Sequence, residues 1–428
     1  MHFKSGGSRM SGLQWGILAL LFLSTVVNYV DRQTTSVLKT TLCEALNLSN
    51  SDYGSITSAF MFSYAIAGLV MGIWVDRVGV RWGLGLAVLA WSVLAMAHAA
   101  AVGVWSLIIL RVLMAFGEGA NWPAGGKAIA RWLPPDRSAL AMGIFDGGSA
   151  LGAVLAPPLV GALAIWLGWR GAFIGTGLIG FFWLIAWFWI YYDPTCHPRL
   201  SAEQRQEYAS RQRSESSKRT GFWTAAGFLF RQRAMWGLIV MRLLATPVWW
   251  FYVFWLPAYL TDHLKFDLKE VALFAWIPYL TTDFGKVIGG IVSDRMLGAG
   301  ISASVSRKSV MFVGALCMSA GVLIPLYPTP VMTLLLASIA TLGWGFWSCN
   351  TLALHSDSFP SHLMGTAIGL TGMLAAMTSG VSSKIVGMMI DKYGYTAPFL
   401  AAGVLPLLAF VVLVFGVGRV RMAEQTTT

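Results

Sequence analysis

The chain has 428 residues, 56% of them hydrophobic and only 11% charged, with 20 tryptophans and a mean hydropathy of +0.66. A soluble domain carries roughly 25% charged residues, so a single water-soluble globule is excluded and lipid must solvate most of the surface. The net charge of +11 would suit nucleic acid, but the basic residues gather in loops on one side of the apolar segments, which points to membrane orientation instead.

In chain order, Lys4 and Arg9 precede a long apolar run without a small-residue cleavage site, which predicts a retained helix rather than a signal peptide. That first segment, 13–38, carries Asp31 and Arg32 side by side. At ~1.5 Å per residue Asp31 lies about 24 Å along the helix from Trp15, at or beyond the bilayer midplane. Ionisable groups at that depth are costly, and they face a polar cavity or one another. The plainer alternative ends the helix at Tyr29 and leaves the pair as a cap. Further apolar segments follow at 53–75, 82–101, 104–127, 138–166, 170–192, 234–261, 268–296, 308–327, 331–354, 361–390 and 396–418. Most are long enough to span a bilayer with tilt. The long polar interval, 193–233, is centred on SAEQRQEYASRQRSESSKR and predicts a central loop with a short surface helix. It divides the chain into an N-terminal six-helix bundle, 1–192, and a C-terminal one, 234–428. The fold class is therefore all-α and membrane-integral, with twelve transmembrane helices in two pseudo-symmetric halves.

Basic residues fix the orientation. One side collects Lys4, Arg9, Arg77, Arg81, Arg131, Arg137, the central-loop residues from Arg199 to Arg233, Arg295, Arg307, Lys308, Arg419 and Arg421. The other has Lys39, Arg170, Lys265, Lys269 and Lys392. The richer side is read as cytoplasmic, which puts both termini and the central loop inside. The four cysteines, Cys43, Cys196, Cys317 and Cys349, are scattered and make no disulfide or metal framework.

The halves echo one another. GIWVDRVGVRW contains Gly72, Asp76, Arg77, Gly79 and Arg81, and GIVSDRMLGAG repeats its start as Gly290, Asp294 and Arg295. LPPDRSALAMG, ending at Gly143, pairs with FPSHLMGTAIG, ending at Gly369; WRGAF, ending at Phe173, pairs with YTAPF, ending at Phe399. Corresponding positions in two six-helix halves mark a duplicated transporter with its substrate site between the halves. The fourth segment adds Arg111 and Glu118, on one helix face, with Glu118 inside the small polar string GEGAN. Glu118 as a mere structural partner of Arg111 is the bland reading. Arg242 and Asp283 lie in otherwise apolar segments, as substrate contacts or as a buried pair locking the second half. Lys127 reads as a side chain snorkelling to the interface. Lys286, Lys384, His355 and Asp357 receive no role. No phosphate loop, metal cluster or activated nucleophile appears, so an enzyme is not expected.

The G-x-x-x-D-R-x-G-x-R loop after the second segment resembles the signature of the major facilitator superfamily. Such a loop serves as a cytoplasmic gate, here Asp76, Arg77 and Arg81 with Asp294 and Arg295, contacting across that face when the cavity opens outward. NYVDR and RVLMAFGEGANWP resemble the anion:cation symporter family, which imports organic anions, many of them sugar acids, with protons. PAGGKAIARWLP, FDGGSALGAVLAPPLV, LKEVALFAWIPYLTTDFG and GLTGM resemble that family's bacterial hexuronate transporters. The similarity runs nearly end to end, and the stretch around Asp283 is its most specific part. It implies Asp31 and Glu118 as proton-carrying carboxylates, with Arg32 and Arg111 holding them or the substrate carboxylate. Tyr29 and Tyr64 match the family's hydroxyl donors, and Arg242 and Asp283 match the hexuronate subgroup. One departure stands out: the hexuronate pattern has a neutral residue at the position of Asp31, whereas an Asp-Arg pair is typical of aldonate transporters. The implied protein is a proton-coupled importer of a hexuronate-like sugar acid. It would work as a monomer in the bacterial inner membrane, driven by the proton gradient without a cofactor, with lipid, protons and a small anion as its partners and no nucleic acid. An aldonate or other carboxylate symporter is the alternative; a non-transporting anion sensor and a uniporter stand further off.

Overall fold

The computed structural model describes residues 10–133, 135–216 and 222–418, apart from the side chains of 135, 136, 138, 139, 211–216, 361 and 362. Lys4, Arg9, Lys218, Arg219, Arg419 and Arg421, counted above for orientation, lie outside the described residues, as do the side chains of Arg211 and Arg213. Helix α1 (Gly12–Val37) is launched by Ser11, whose hydroxyl accepts from the Gln14 amide while the Gln14 side chain accepts from the Ser11 N–H. It runs past Tyr29 without a break, so Asp31 and Arg32 lie inside the helix and do not cap it. Every residue from Val30 to Lys39 is buried. A helix buried all round is enclosed by protein, and here protein rather than lipid surrounds the charged pair.

Helix α2 (Lys39–Leu46) follows a turn at Leu38, and α3 (Asn50–Val78) meets α4 (Val80–Ala97) at Gly79. Gly79 has φ +84°, a conformation that side chains rarely adopt, which accounts for a glycine at this turn. Helices α5 (Val104–Gly119) and α6 (Asn121–Trp132) make one span broken only at Ala120. The segments predicted at 138–166 and 170–192 are two helices meeting at Gly168, whose φ of +71° and ψ of 173° are not helical; the pair is labelled α7 (Pro135–Ile190). Two helices, α8 (Ala202–Ser216) and α9 (Phe222–Phe230), stand where the sequence predicts one.

In the second half α10 (Arg233–Asp262) is a full span, but the predicted segment 268–296 is not one helix. It breaks after α11 (Leu268–Phe274) and resumes as α12 (Ile277–Gly298). Pro278, in the first turn of α12, has no N–H and its ring crowds the preceding turn, so the chain breaks ahead of it. Then come α13 (Ala303–Ser319), α14 (Pro330–Ser358), α15 (Ser361–Tyr393) and α16 (Thr396–Val417). Ten helices among the described residues are long and apolar enough to cross a membrane, Leu140–Ile190 being one of them. With that pair counted as two spans, and α11–α12 as one more, the fold is twelve-spanning.

The halves meet along α3 and α15, and along α7 with α11 and α12. A Cβ added at Gly54 of α3 would lie 2.7 Å from the Ser383 carbonyl oxygen of α15, so the backbones touch there. In lipid, where packing rather than hydrophobicity drives helix association, small residues at such crossings are the rule.

Candidate functional site

The buried charges of the first half form one cluster. Asp31, Arg32, Arg111 and Glu118 are each no more than 1% exposed. Arg32 Nε and Nη2 both reach Glu118 Oε2, at 2.8 and 2.7 Å, and Nη2 also donates to Asn28 Oδ1 one turn back at 3.0 Å. Arg111 donates Nη2 to the Arg32 carbonyl oxygen at 2.9 Å. The reading of Glu118 as the structural partner of Arg111 is therefore corrected: its partner is Arg32. Seven residues share a helix face but are separated by about 10 Å of rise, too far for a hydrogen bond along α5. Both Asp31 oxygens and the second Glu118 oxygen are buried without a hydrogen bond, and the Trp91 indole and Thr176 hydroxyl stand beside Asp31. Glycines let the helices close around these groups. A Cβ at Gly119 would lie 2.6 Å from Ala67 Cβ, and one at Gly117 would lie 2.9 Å from Trp91 Cβ.

A cavity of about 880 Å³ lies between the halves. Tyr29, Tyr64, Arg242 and Asp283 line it; Asp31, Arg32, Arg111 and Glu118 do not. Arg32 stands behind the wall, its guanidinium 4.8 Å from the Tyr29 ring centroid, 4.4 Å from that of Tyr64 and 5.7 Å from that of Trp250. Three cavity aromatics thus screen the buried ion pair. Trp249 and Trp344 stack at 5.9 Å on another wall, with Trp347 nearby in the lining. Arg242 and Asp283 do not pair. Arg242 donates to Thr371 Oγ1 at 2.8 Å, and Asp283 stands 3.3 Å from Lys286. Lys286 and Asp146 also line the cavity, and neither was assigned a site from the sequence. Asp146 carried the same signal as Asp283, a lone carboxylate within an apolar segment.

The cavity is closed at one end. On the face away from the arginine-rich loops, Asp262 of α10 accepts from Lys39 Nζ at 2.5 Å, Thr40 Oγ1 at 2.7 Å and Tyr395 Oη at 2.7 Å. Asp391 of α15 accepts from the Asn50 and Ser51 amides at 3.1 and 2.7 Å, a carboxylate at the amino terminus of α3. Lys384 donates to Ser51 Oγ and Ser55 Oγ at 3.0 and 2.6 Å. Apolar packing of Val37, Leu38 and Leu42 with Leu260, Phe266 and Val271 completes this seal. At the arginine-rich face the ion pairs of Asp76 and Asp294 each stay within one half. Asp76, an exposed carboxylate at this face, pairs with Lys127 at 2.7 Å, so the snorkelling Lys127 head ends in an ion pair. Arg81 donates to the carbonyls of Phe188 and Tyr191, and its guanidinium lies over the Tyr192 ring. Asp294 pairs with Arg307 at 2.7 Å, while Arg77 and Arg295 are exposed. No bridge between the halves is present there among these residues. Just outside the membrane, burial lowers the pKa of His197, whose ring nitrogen meets the Ile190 carbonyl at 3.3 Å.

Residues 21–383 match the model of the Major Facilitator Superfamily. The chain belongs to this superfamily. Members are transporters rather than enzymes, and this one is a multi-pass membrane protein. Among its relatives, a hexuronate transporter of Escherichia coli K12 is 33% identical over 406 residues, covering 95% of this chain and 94% of that protein. A galacturonate transporter of Dickeya chrysanthemi is 32% identical over 339 residues, covering 78% and 97%. A solved D-xylose-proton symporter superposes with a TM-score of 0.76 over 95% of this chain and 98% of that one, at 16% identity. That last likeness shows the major-facilitator fold alone.

Proposed function

We propose that this protein is a proton-coupled importer of a hexuronate-type sugar acid, working as a monomer in the bacterial inner membrane with both termini cytoplasmic. The arginine-rich face is then the inner one, and the structure is the inward-open state. One observation carries the reading. A cavity between the halves offers Arg242 and Lys286 for a carboxylate, Asp146 and Asp283 for hydroxyls, and indole faces for a sugar ring, and it backs onto the buried Arg32–Glu118 pair. The names of the relatives support the sugar-acid class. Protons enter through charge balance: Asp31 and Glu118 offset Arg32 and Arg111, so protonating one carboxyl leaves a net positive cluster behind the cavity wall. An anion is favoured in that state.

Purified protein in liposomes tests this. An inward proton gradient should drive labelled D-glucuronate above its equilibrium level, a protonophore should abolish the excess, and D-galacturonate should compete. Uptake that only equilibrates, whatever the gradient, would replace the symporter with a uniporter. A second reading, an aldonate substrate, is favoured by the Asp31–Arg32 pair; stronger competition by galactonate than by glucuronate would establish it.

A further inference from the structure

Arg242 is held from behind by a chain of hydrogen bonds that crosses three helices. Its Nη1 donates to Thr371 Oγ1 at 2.8 Å; that oxygen lies 3.0 Å from His355 Nε2, and His355 Nδ1 lies 2.7 Å from the Thr351 carbonyl oxygen. Thr371 and His355 are fully buried, whereas Arg242 reaches the cavity. The directions of the bonds follow from chemistry. A carbonyl oxygen only accepts, so Nδ1 carries the ring hydrogen. In the neutral ring Nε2 is then bare and accepts the Thr371 hydroxyl hydrogen. That leaves the hydroxyl lone pairs facing Arg242, which only donates. A second proton at Nε2 would place two cations on either side of one buried hydroxyl oxygen. The competing acceptors for Thr371, the Ala367 and Ile368 carbonyl oxygens at 2.9 and 3.2 Å, are the usual partners of a helical threonine. If the hydroxyl turned there, the His355 nitrogen and the threonine oxygen would meet without a hydrogen between them.

We infer that His355 is a positioning residue for the anion site. Through Thr371 it orients the Arg242 guanidinium toward the cavity, so that the remaining N–H groups are presented to a carboxylate in one fixed geometry. Gly372 lies against the guanidinium: a Cβ there would meet Arg242 Nη2 at 3.7 Å, ordinary van der Waals contact. Fixing a long, rotamer-rich side chain before the ligand arrives removes an ordering cost from binding. His355 touches no substrate. It acts only through Arg242, and the inference rests on the reading of the cavity as a carboxylate site.

The test uses the purified full-length protein and two independent readouts. The first is the rate of phenylglyoxal modification of Arg242, followed by peptide mass spectrometry, with Arg307 as the internal standard. Thr371→Val and His355→Ala should each speed modification of Arg242 several-fold without changing that of Arg307. Thr371→Ser and His355→Gln, which keep a hydroxyl and an acceptor at these positions, should behave like the parent. The second is D-glucuronate affinity by calorimetry, where Thr371→Val and His355→Ala should each weaken binding on the order of tenfold, as for loss of one ordered charged hydrogen bond. Variants that bind more weakly while Arg242 modification stays at the parent rate would overturn the relay and make His355 an ordinary core residue. So would an unchanged rate and unchanged affinity in both variants. A parent protein that binds no sugar acid would instead overturn the sugar-acid reading, and the modification rates would still decide the relay.

Discussion

At the scale of single residues, the sequence reveals which side chains break the apolar rule but not whom they meet. Asp31, Arg32, Arg111, Glu118, Arg242 and Asp283 all stand out because charge is expensive in a spanning segment. Their partners come from other helices, and no spacing along α5 shows that Glu118 belongs to Arg32 across the bundle. For the same reason the polar side chains behind Arg242 were unreadable: a histidine and a threonine on separate helices carry no common signal. The Arg32–Glu118 pair also sets a stability expectation. Both groups are fully buried, so removing one leaves the other charged without a partner, at a cost of about 3–5 kcal/mol. Arg32→Ala should therefore lower the unfolding temperature markedly in a detergent-solubilised thermal melt. Arg32→Ala with Glu118→Gln should recover much of the loss, because the second change removes the stranded charge. A double variant no more stable than the single one would mean that Arg32 contributes through its packing on Tyr29, Phe60 and Tyr64 rather than through charge.

At the scale of helices, apolar length located the spans well because lipid imposes it directly. It failed where local backbone chemistry intervenes: Pro278 divides the eighth span. Nor does hydropathy say which helices touch across the halves. The contact of α3 with α15 shows itself only through glycines, and glycines are common throughout this chain. Two of them support different expectations. Gly119 packs on Ala67 inside the first half, so Gly119→Val should destabilise the protein in every conformation. Gly54 packs on the backbone of α15 across the seal, a contact between the two halves. Gly54→Val should leave the folded bundles intact and wedge the seal apart. A cysteine placed at a lining position such as Ala153 should then react faster with an impermeant maleimide added from the outside. Equal rates in the parent and the variant would show that the α3–α15 crossing tolerates the added bulk and does not govern opening.

At the scale of the whole molecule, the six-plus-six division and the repeat were legible because duplication copies whole loops, as in the two D-R turns at Asp76 and Asp294. The direction in which the cavity opens was not, since it depends on which of two sets of contacts is made. Here Asp262, Asp391 and Lys384 join the halves on one face, while Asp76 and Asp294 stay within their own halves on the other. Coupling requires that proton and anion bias the same exchange between these two sets. In the proposed mechanism Asp31 and Glu118 would do so, because they sit on α1 and α5 against Arg32, which stacks on aromatics from both halves, Tyr29 and Tyr64 on one side and Trp250 on the other. With both carboxylates ionised the cluster of two acids and two arginines is neutral, and protonating one leaves it net positive behind the cavity wall, which favours loading of an anion together with a proton. An amide holds the protonated charge permanently. Asp31→Asn and Glu118→Gln should therefore lose accumulation against a gradient in liposomes, and at least one should retain exchange of labelled for unlabelled sugar acid. Glu118→Gln carries the greater risk to exchange itself, because Oε2 also anchors Arg32 and an amide holds a guanidinium less firmly. Uphill uptake that survives in both variants, with its dependence on pH unchanged, would move proton coupling to the cavity carboxylates Asp146 and Asp283.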